Sequence, residues 1–184
     1  MQAEIPDYQL RYPIGKAKEQ PFFSETYTQQ SKDAYLQAIQ SLPSLLEDAV
    51  RNLDKSQLLT PYRPGGWTVQ QVVHHVADSH INAYTRFKLA LTEDNPTIKP
   101  YDQDSWANLS DQHLPVNISL TLLHALHTRW YELIKNMTEE DWQRAVYHPE
   151  HQRSMSLWEL GGIYAWHGKH HTAHIEKLRE REGW

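Results

Sequence analysis

The chain has 184 residues and a mass of 21.6 kDa, with 39% hydrophobic and 22% charged residues, which is typical of one globular domain. It contains no cysteine, which excludes disulfide bonds, thiolate metal ligands and cysteine nucleophiles. A net charge of -5 argues against a nucleic-acid partner. Because no apolar run is long enough to span a membrane and no secretory signal is visible, we expect a cytoplasmic protein without a membrane partner.

The N-terminal stretch, residues 1–23, predicts an extended arm that lies over the domain, since three prolines interrupt a sequence with no sustained period. Apolar residues three or four positions apart then predict a first helix over about 25–52. Pro43 falls inside this helix. The sequence therefore predicts either a kink at Pro43 or a second segment that is capped by Ser41.

Three more helices are predicted over about 68–92, 117–137 and 156–181. Thr68 with Gln71 has the spacing of a capping box at the start of the second helix, and Ser156 with Glu159 has it at the start of the fourth. No segment alternates in the way typical of strands, and a polar crossing is expected over 146–155. Four long helices in a single domain over 1–184 favour an all-α four-helix bundle with long connections.

Histidine is the unusual residue, with 12 copies, four of them between positions 167 and 174. Two pairs in this stretch have the i,i+4 spacing that places two imidazoles on one helix face, where both can bind one ion. A helical wheel puts His167 and His171 inside the apolar stripe of the fourth helix, His174 at its border and His170 well outside. Unpaired imidazoles in that stripe would cost roughly 1–3 kcal/mol each, and a metal ion would satisfy them.

A metal site needs a third ligand, and the second helix offers His74, His75 and His80. The wheel places His80 with the valines of that helix and the other two histidines away from them. His124 and His127 on the third helix are further candidate donors. Periodicity alone leaves the choice of the third ligand open.

Two segments resemble motifs of the DinB-like superfamily. The segment from Gly65 to Asp78, GGWTVQQVVHHVAD, is similar to its second-helix motif, in which a tryptophan, a capping Ser or Thr and an apolar residue precede a metal-binding histidine. The segment from Tyr164 to Ile175, YAWHGKHHTAHI, is similar to its final-helix motif, which has a histidine and another four positions later. Within the superfamily the chain resembles the YfiT subfamily of Bacillus-type bacteria, described as metal-dependent hydrolases, from Tyr12 to Trp184.

This resemblance implies a metal site made by His75, His167 and His171. The ligand of the second-helix motif stands eight positions after the tryptophan and just before an apolar-Ala-Asp sequence, which selects His75 and leaves His74 as the adjacent alternative. Asp78 lies three residues after His75 on the helix surface and is a candidate for orienting an imidazole or a water.

The resemblance also implies a function. Three neutral imidazoles suit one divalent ion, Zn²⁺ first and Ni²⁺ second, and leave a position open where the ion activates water for hydrolysis. The alternative is a metal-assisted thiol S-transferase with a bacillithiol-like cosubstrate, because a thiolate can bind the same position. A non-catalytic metal-binding protein is the third interpretation. The expected partners are a small-molecule substrate and a second copy of the chain in a homodimer.

Overall fold

Four long helices form the body of the molecule in the computed structural model, which describes residues 5–184. They are accompanied by short helices and one small hairpin. The helices are α1 Asp7–Arg11, α2 Gln29–Val50, α3 Lys55–Leu58, α4 Val69–Thr92, α5 Gln103–Trp106, α6 Val116–Lys135, α7 Glu139–Gln143 and α8 Leu157–Glu182. Short 3₁₀ turns cover Ala17–Glu19 and Ser110–His113, and the strands are β1 Ala145–His148 and β2 Arg153–Ser156. The predicted all-α four-helix bundle is confirmed in α2, α4, α6 and α8.

Local caps fix where two of the long helices begin. Thr68 accepts a hydrogen bond from the Gln71 amide at 3.1 Å, and the Gln71 side chain accepts one from the Thr68 amide at 3.0 Å, which completes the predicted capping box of α4. Ser156 accepts from the Glu159 amide at 3.1 Å at the start of α8. The Glu159 carboxylate does not return this bond, because it forms a two-pronged ion pair with Arg153 instead.

Pro43 lies within α2, which continues as one helix from Gln29 to Val50. The alternative of a new segment capped by Ser41 is therefore wrong. Ser41 donates its hydroxyl hydrogen to the Gln37 carbonyl at 2.8 Å, a bond made inside a helix rather than at its start. Pro43 has no amide hydrogen, so the carbonyl of Ile39 lacks its usual helical donor.

The long helices form a square in which α2 packs against α6 and α8, and α4 packs against the same two helices. Consecutive long helices α2 and α4 therefore lie at opposite corners. The arrangement places α4 and α8 face to face, with their histidine-bearing segments in contact.

The core consists of two apolar clusters with a layer of histidines between them. One cluster surrounds Trp130, Phe87 and Trp142, and the other surrounds Leu46, Val72 and Ile175. Along the helices, the buried histidines that fall between residues of the two clusters are His80 of α4, His127 of α6, and His170, His171 and His174 of α8. His74 and His75 lie within the stretch of α4 that belongs to the second cluster, next to this layer. Since buried polar groups need partners, this layer is where the bundle must hold hydrogen bonds or an ion.

Gly168 allows α8 to approach α2 closely beside this layer. A Cβ atom at position 168 would lie 2.6 Å from a methyl carbon of Leu42 and 2.7 Å from the other. The position tolerates no side chain without movement of Leu42, which is itself buried.

The expectation of a polar connection without strands over 146–155 is wrong, because β1 and β2 form an antiparallel hairpin there. Val146 pairs with Met155 across β1 and β2, and both side chains are buried. Each strand is only four residues long, and the Tyr147 amide also bonds to the Pro96 carbonyl at 3.0 Å. The hairpin is therefore stabilised by contacts that are distant in sequence.

The N-terminal segment covers α8, as predicted, but it is not extended throughout. Met1–Glu4 of the predicted arm lie outside the described residues. The rest contains α1 and a 3₁₀ turn, and Trp166 of α8 donates its indole hydrogen to the Gly15 carbonyl at 3.0 Å. Within residues 5–184, no helix has the length and apolar character needed to cross a membrane.

Candidate metal centre

Three histidine side chains from two helices meet between α4 and α8. His75 comes from α4, His167 and His171 come from α8, and one ring nitrogen of each lies within 4.8 Å of the other two. The Nε2 atoms of His75 and His167 are 3.3 Å apart. Two nitrogens bound tetrahedrally to one Zn²⁺ at about 2.0–2.1 Å lie about 3.3–3.4 Å from each other. The donor set and its spacing therefore fit one divalent ion, and these are the three residues predicted as ligands.

Burial keeps the three rings neutral. It lowers the pKa of His75 to about 4, and it lowers the pKa of His167 and His171 well below the ordinary value, with the neighbouring histidines adding a smaller effect in the same direction. A neutral imidazole has one nitrogen with a free lone pair, which is the form that binds a metal. The site is therefore ready for an ion at neutral pH without prior loss of a proton.

His74, the alternative ligand on α4, points away from this site. Its Nδ1 lies 2.7 Å from the Ser119 hydroxyl, and its Nε2 lies 2.9 Å from the Leu114 carbonyl. The carbonyl only accepts, so Nε2 donates to it and Nδ1 accepts from the hydroxyl. Both nitrogens are occupied by protein groups, and the geometry favours His75 as the α4 ligand.

His80, which the helical wheel selected, is fully buried beside the three candidate ligands. Its Nε2 lies 3.1 Å from His167 Nδ1, and its Nδ1 lies 3.0 Å from His127 Nε2 on α6. His127 Nδ1 in turn lies 2.5 Å from the carbonyl oxygen of Ile39 on α2. The prediction from periodicity that His80 is a core residue is confirmed, and the structure places it behind His167 rather than among the three candidate ligands.

His174 and His170 flank His171 on the same helix. His174 Nε2 lies 3.1 Å from the Arg11 carbonyl, and His174 Nδ1 lies 3.4 Å from His171 Nδ1. The prediction that His170 lies well outside the buried face is wrong, because its side chain is only 6% exposed. Trp166 stacks on the His170 ring at 4.2 Å between centroids, and the N-terminal segment covers it from outside.

Asp78, the candidate for orienting an imidazole or a water, has a different neighbour. Its Oδ2 accepts a hydrogen bond from Gln112 Nε2 at 3.3 Å. The pKa of Asp78 is raised to about 6, mainly by burial and also by the nearby Asp111, while the bond from Gln112 partly offsets both effects. Among the described residues the structure records no hydrogen bond from Asp78 to His75, His167 or His171.

His124, a further candidate donor on α6, lies at the surface. Its Nε2 is 3.1 Å from a carboxylate oxygen of Glu47, and nearly half of its side chain is exposed. His127, three residues later, is buried and points into the histidine layer instead.

His75, His167 and His171 open onto a cavity of about 540 Å³. Its walls also include two arginines and several aromatic rings: Arg11, Arg63, Tyr12, Tyr62, Trp67 and Trp166. Trp67 packs on His75 at 4.5 Å between ring centroids. The cavity is large enough for a small organic molecule to reach the ring nitrogens of these histidines from one side.

Sequence reasoning did not assign the arginines or tyrosines of this cavity to the site. Arg11 and Tyr12 lie in the N-terminal segment, and Tyr62 and Arg63 lie in the loop before α4. Nothing in their spacing separates them from surface residues, because they meet only when the segment folds over α8. The Trp67-Thr68 pair at the start of the α4 motif was the one local signal for this wall.

Comparisons with known proteins agree with this geometry. The family model of the DinB superfamily matches residues 38–175. A Bacillus cereus (strain 03BB102) protein named "putative metal-dependent hydrolase" is 52% identical over 175 residues, which are 95% of this chain and 98% of that protein, and a Bacillus thuringiensis relative with the same description has the same values. The structure of YfiT from Bacillus subtilis, described as "a probable metal-dependent hydrolase with an unusual four-helix bundle topology", superposes with a TM-score of 0.90 at 45% identity, over 96% of this chain and 99% of that one. The chain belongs to the DinB superfamily.

Proposed function

We propose that this protein is a metal-dependent hydrolase in which His75, His167 and His171 hold one divalent ion. The observation that carries the proposal is the pair of Nε2 atoms from α4 and α8, 3.3 Å apart, at a cavity of about 540 Å³. The names of the Bacillus relatives support the same class of reaction. Three protein ligands on one side and an open cavity on the other are the arrangement of catalytic rather than structural zinc sites.

Zn²⁺ is the first choice of metal and Ni²⁺ the second, because all three donors are neutral imidazole nitrogens. When bound, the ion would supply Lewis-acid activation of a water or of a polarised substrate bond. The protein contributes the rest. Its helices hold the three rings in place, burial keeps them unprotonated, and Trp67 limits the directions from which a molecule can approach His75.

The competing function is thiol transfer, in which the open position takes a thiolate instead of water. The same three neutral donors suit that chemistry, since they leave the ion with its full positive charge to stabilise an anionic sulfur. A panel of esters, amides and electrophilic compounds, each assayed with and without a bacillithiol-like thiol, separates the two functions. Release of acid or alcohol without thiol supports hydrolysis, and loss of electrophile only with thiol supports transfer.

The ligand assignment is tested by elemental analysis of purified protein. We expect the wild-type protein and the His74→Ala variant to contain about one equivalent of metal, because His74 bonds only to Ser119 and Leu114. His75→Ala, His167→Ala and His171→Ala should each lose most of it. Full metal content in these three variants, or its loss in His74→Ala, would contradict the assignment. Tight metal retention with no turnover in the panel would indicate a non-catalytic metal-binding protein.

A further inference from the structure

Three histidines from three helices form a continuous line that ends at the candidate metal centre. His127 Nε2 lies 3.0 Å from His80 Nδ1, and His80 Nε2 lies 3.1 Å from His167 Nδ1. We call these three residues the histidine row. His80 is fully buried and His127 is 2% exposed, so water does not compete for the bond between them, and His167 at the end of the row is partly buried. The row connects α6 through α4 to α8.

At the end of the histidine row away from His167, His127 bonds to the main-chain carbonyl of Ile39. This carbonyl lacks its usual helical donor because of Pro43. In an α-helix the amide of residue 43 would donate to the carbonyl of residue 39, and Pro43 has no amide hydrogen. His127 Nδ1 lies 2.5 Å from that carbonyl oxygen of Ile39. A carbonyl oxygen only accepts hydrogen bonds, so Nδ1 of His127 must carry the hydrogen.

The hydrogen on His127 Nδ1 determines which nitrogen carries the hydrogen in each of the other two rings of the histidine row. Each ring bonds only to neutral partners here, and a neutral imidazole has one donor nitrogen and one acceptor nitrogen. Since His127 donates from Nδ1, its Nε2 accepts from His80 Nδ1. His80 Nε2 then accepts from His167 Nδ1. His167 is left with a free lone pair on Nε2, the atom that lies 3.3 Å from His75 Nε2.

We propose that Pro43 and the Ile39 carbonyl, acting through His127 and His80, fix the tautomer of His167 so that its Nε2 faces the metal ion as an acceptor. His80 and His127 are positioning residues in this proposal, which rests on the proposed function only in taking His167 as a ligand. Hydrogen bonds of this kind hold the ligand ring and increase the basicity of the nitrogen that binds the metal.

The row orients His167 and does not export protons. A proton that entered at His167 would have to leave at the Ile39 carbonyl, which is a poor base and lies inside α2. The useful property of the histidine row is therefore that all its hydrogen bonds are donated in one direction, from His167 towards Ile39. Because the bonds are consecutive and lie largely out of water, each one polarises the next, and the positive charge of an ion at His167 would strengthen all of them.

Long-range ¹H–¹⁵N spectra of histidine-labelled protein without metal test the proposal directly, because they distinguish the two imidazole tautomers. We expect His127, His80 and His167 all to carry hydrogen on Nδ1. A hydrogen on Nε2 of His167 in the metal-free protein would overturn the proposal. This measurement uses the wild-type protein and does not depend on how any variant folds.

Zn²⁺ affinity, measured by competition with a chelating dye, gives the second readout. His127→Gln retains a donor for Ile39 and an acceptor for His80, so it should bind Zn²⁺ nearly as tightly as the wild type. His127→Leu should lose about 10- to 100-fold. His124→Gln, an exposed change on the same helix, is the matched control and should have no effect.

Equal affinity of His127→Leu and wild type would overturn the proposal, as would an equal loss in the Gln and Leu variants. If His127→Leu does not fold, as judged by circular dichroism, the tautomer spectra of the wild type decide the question. Failure of the wild type to bind Zn²⁺ contradicts both this proposal and the proposed function. Tight Zn²⁺ binding with the opposite tautomer at His167 contradicts only this one.

Discussion

Pro43 and His127 lie on different helices, and His127 supplies to the Ile39 carbonyl the hydrogen bond that Pro43 cannot make. A proline inside a helix usually costs stability, because a backbone acceptor loses its donor. Here the vacant acceptor is used by a side chain from α6. The proline of α2 and the candidate metal centre are thereby linked through two buried histidines.

Replacing Pro43 by alanine should therefore raise stability and weaken metal binding. The Pro43→Ala variant restores an amide that competes with His127 for the Ile39 carbonyl, and alanine favours the helix. We expect the free energy of unfolding to rise by about 1 kcal/mol or more and the Zn²⁺ affinity to fall severalfold. Urea denaturation of the metal-free protein and dye competition measure the two effects. An increase in both the free energy of unfolding and the Zn²⁺ affinity would contradict the connection between Pro43 and the candidate metal centre.

His174 should support metal binding, and His170 should not. The Arg11 carbonyl accepts from His174 Nε2, which leaves His174 Nδ1 to accept from His171 Nδ1 and His171 Nε2 free for an ion. His170 Nδ1 has no hydrogen-bond partner within residues 5–184. We expect His174→Leu to reduce Zn²⁺ affinity about tenfold or more and the matched His170→Leu to change it little. Equal losses in the two variants would show that burial, rather than the hydrogen bond, matters.

The metal-free protein should lose stability as the pH falls below neutrality. Burial holds the pKa of His127 and of His174 near 4, whereas the pKa of an unfolded histidine is about 6.5. Between these values the unfolded state binds more protons, so the free energy of unfolding rises with pH. The stabilisation is complete above about pH 6.5 and is lost progressively towards pH 4.

Urea denaturation at pH 7.5 and pH 5.0 in the presence of a chelator measures this loss. We expect a decrease of at least about 2 kcal/mol, since a single histidine shifted in this way contributes about that much. A free energy of unfolding that is constant between the two pH values would contradict the burial of neutral histidines.

Gly168→Ala should destabilise the bundle, although alanine is normally preferred in helices. The added methyl group would overlap Leu42, which is buried between α2 and α8. Overpacking of this kind costs about 1–3 kcal/mol. Thermal denaturation measures the change, and Glu176→Ala at an exposed position of the same helix serves as the control. Unchanged stability would mean that Leu42 can move aside.

Most of the bundle could be predicted from the sequence, because the patterns that indicate a helix and its start involve residues close together in the chain. The spacing of apolar residues located the four long helices to within a few residues, and Thr68 with Gln71 marked the start of α4. The hairpin could not be found in this way. Its strands have four residues each, and Arg153 and Ser154 of β2 are exposed, so no alternating pattern is long enough to detect.

The candidate metal centre was partly predictable for the same reason. His167 and His171 share one helix face, which their spacing reveals, whereas His75 was selected by its place in a motif. The connection from His80 to His127 and Ile39 was not predictable, because it depends on how three helices pack. The wheel placed His170 outside the buried face because it cannot register the N-terminal segment that lies over it.

That covering segment has a consequence for how such proteins diverge. The rings of the candidate metal centre belong to the long helices, while Arg11 and Tyr12, which form part of the entrance, belong to a short stretch outside the bundle. Substitutions in this stretch can reshape the entrance without displacing His75, His167 or His171. Selectivity for new compounds can therefore evolve separately from the reaction chemistry.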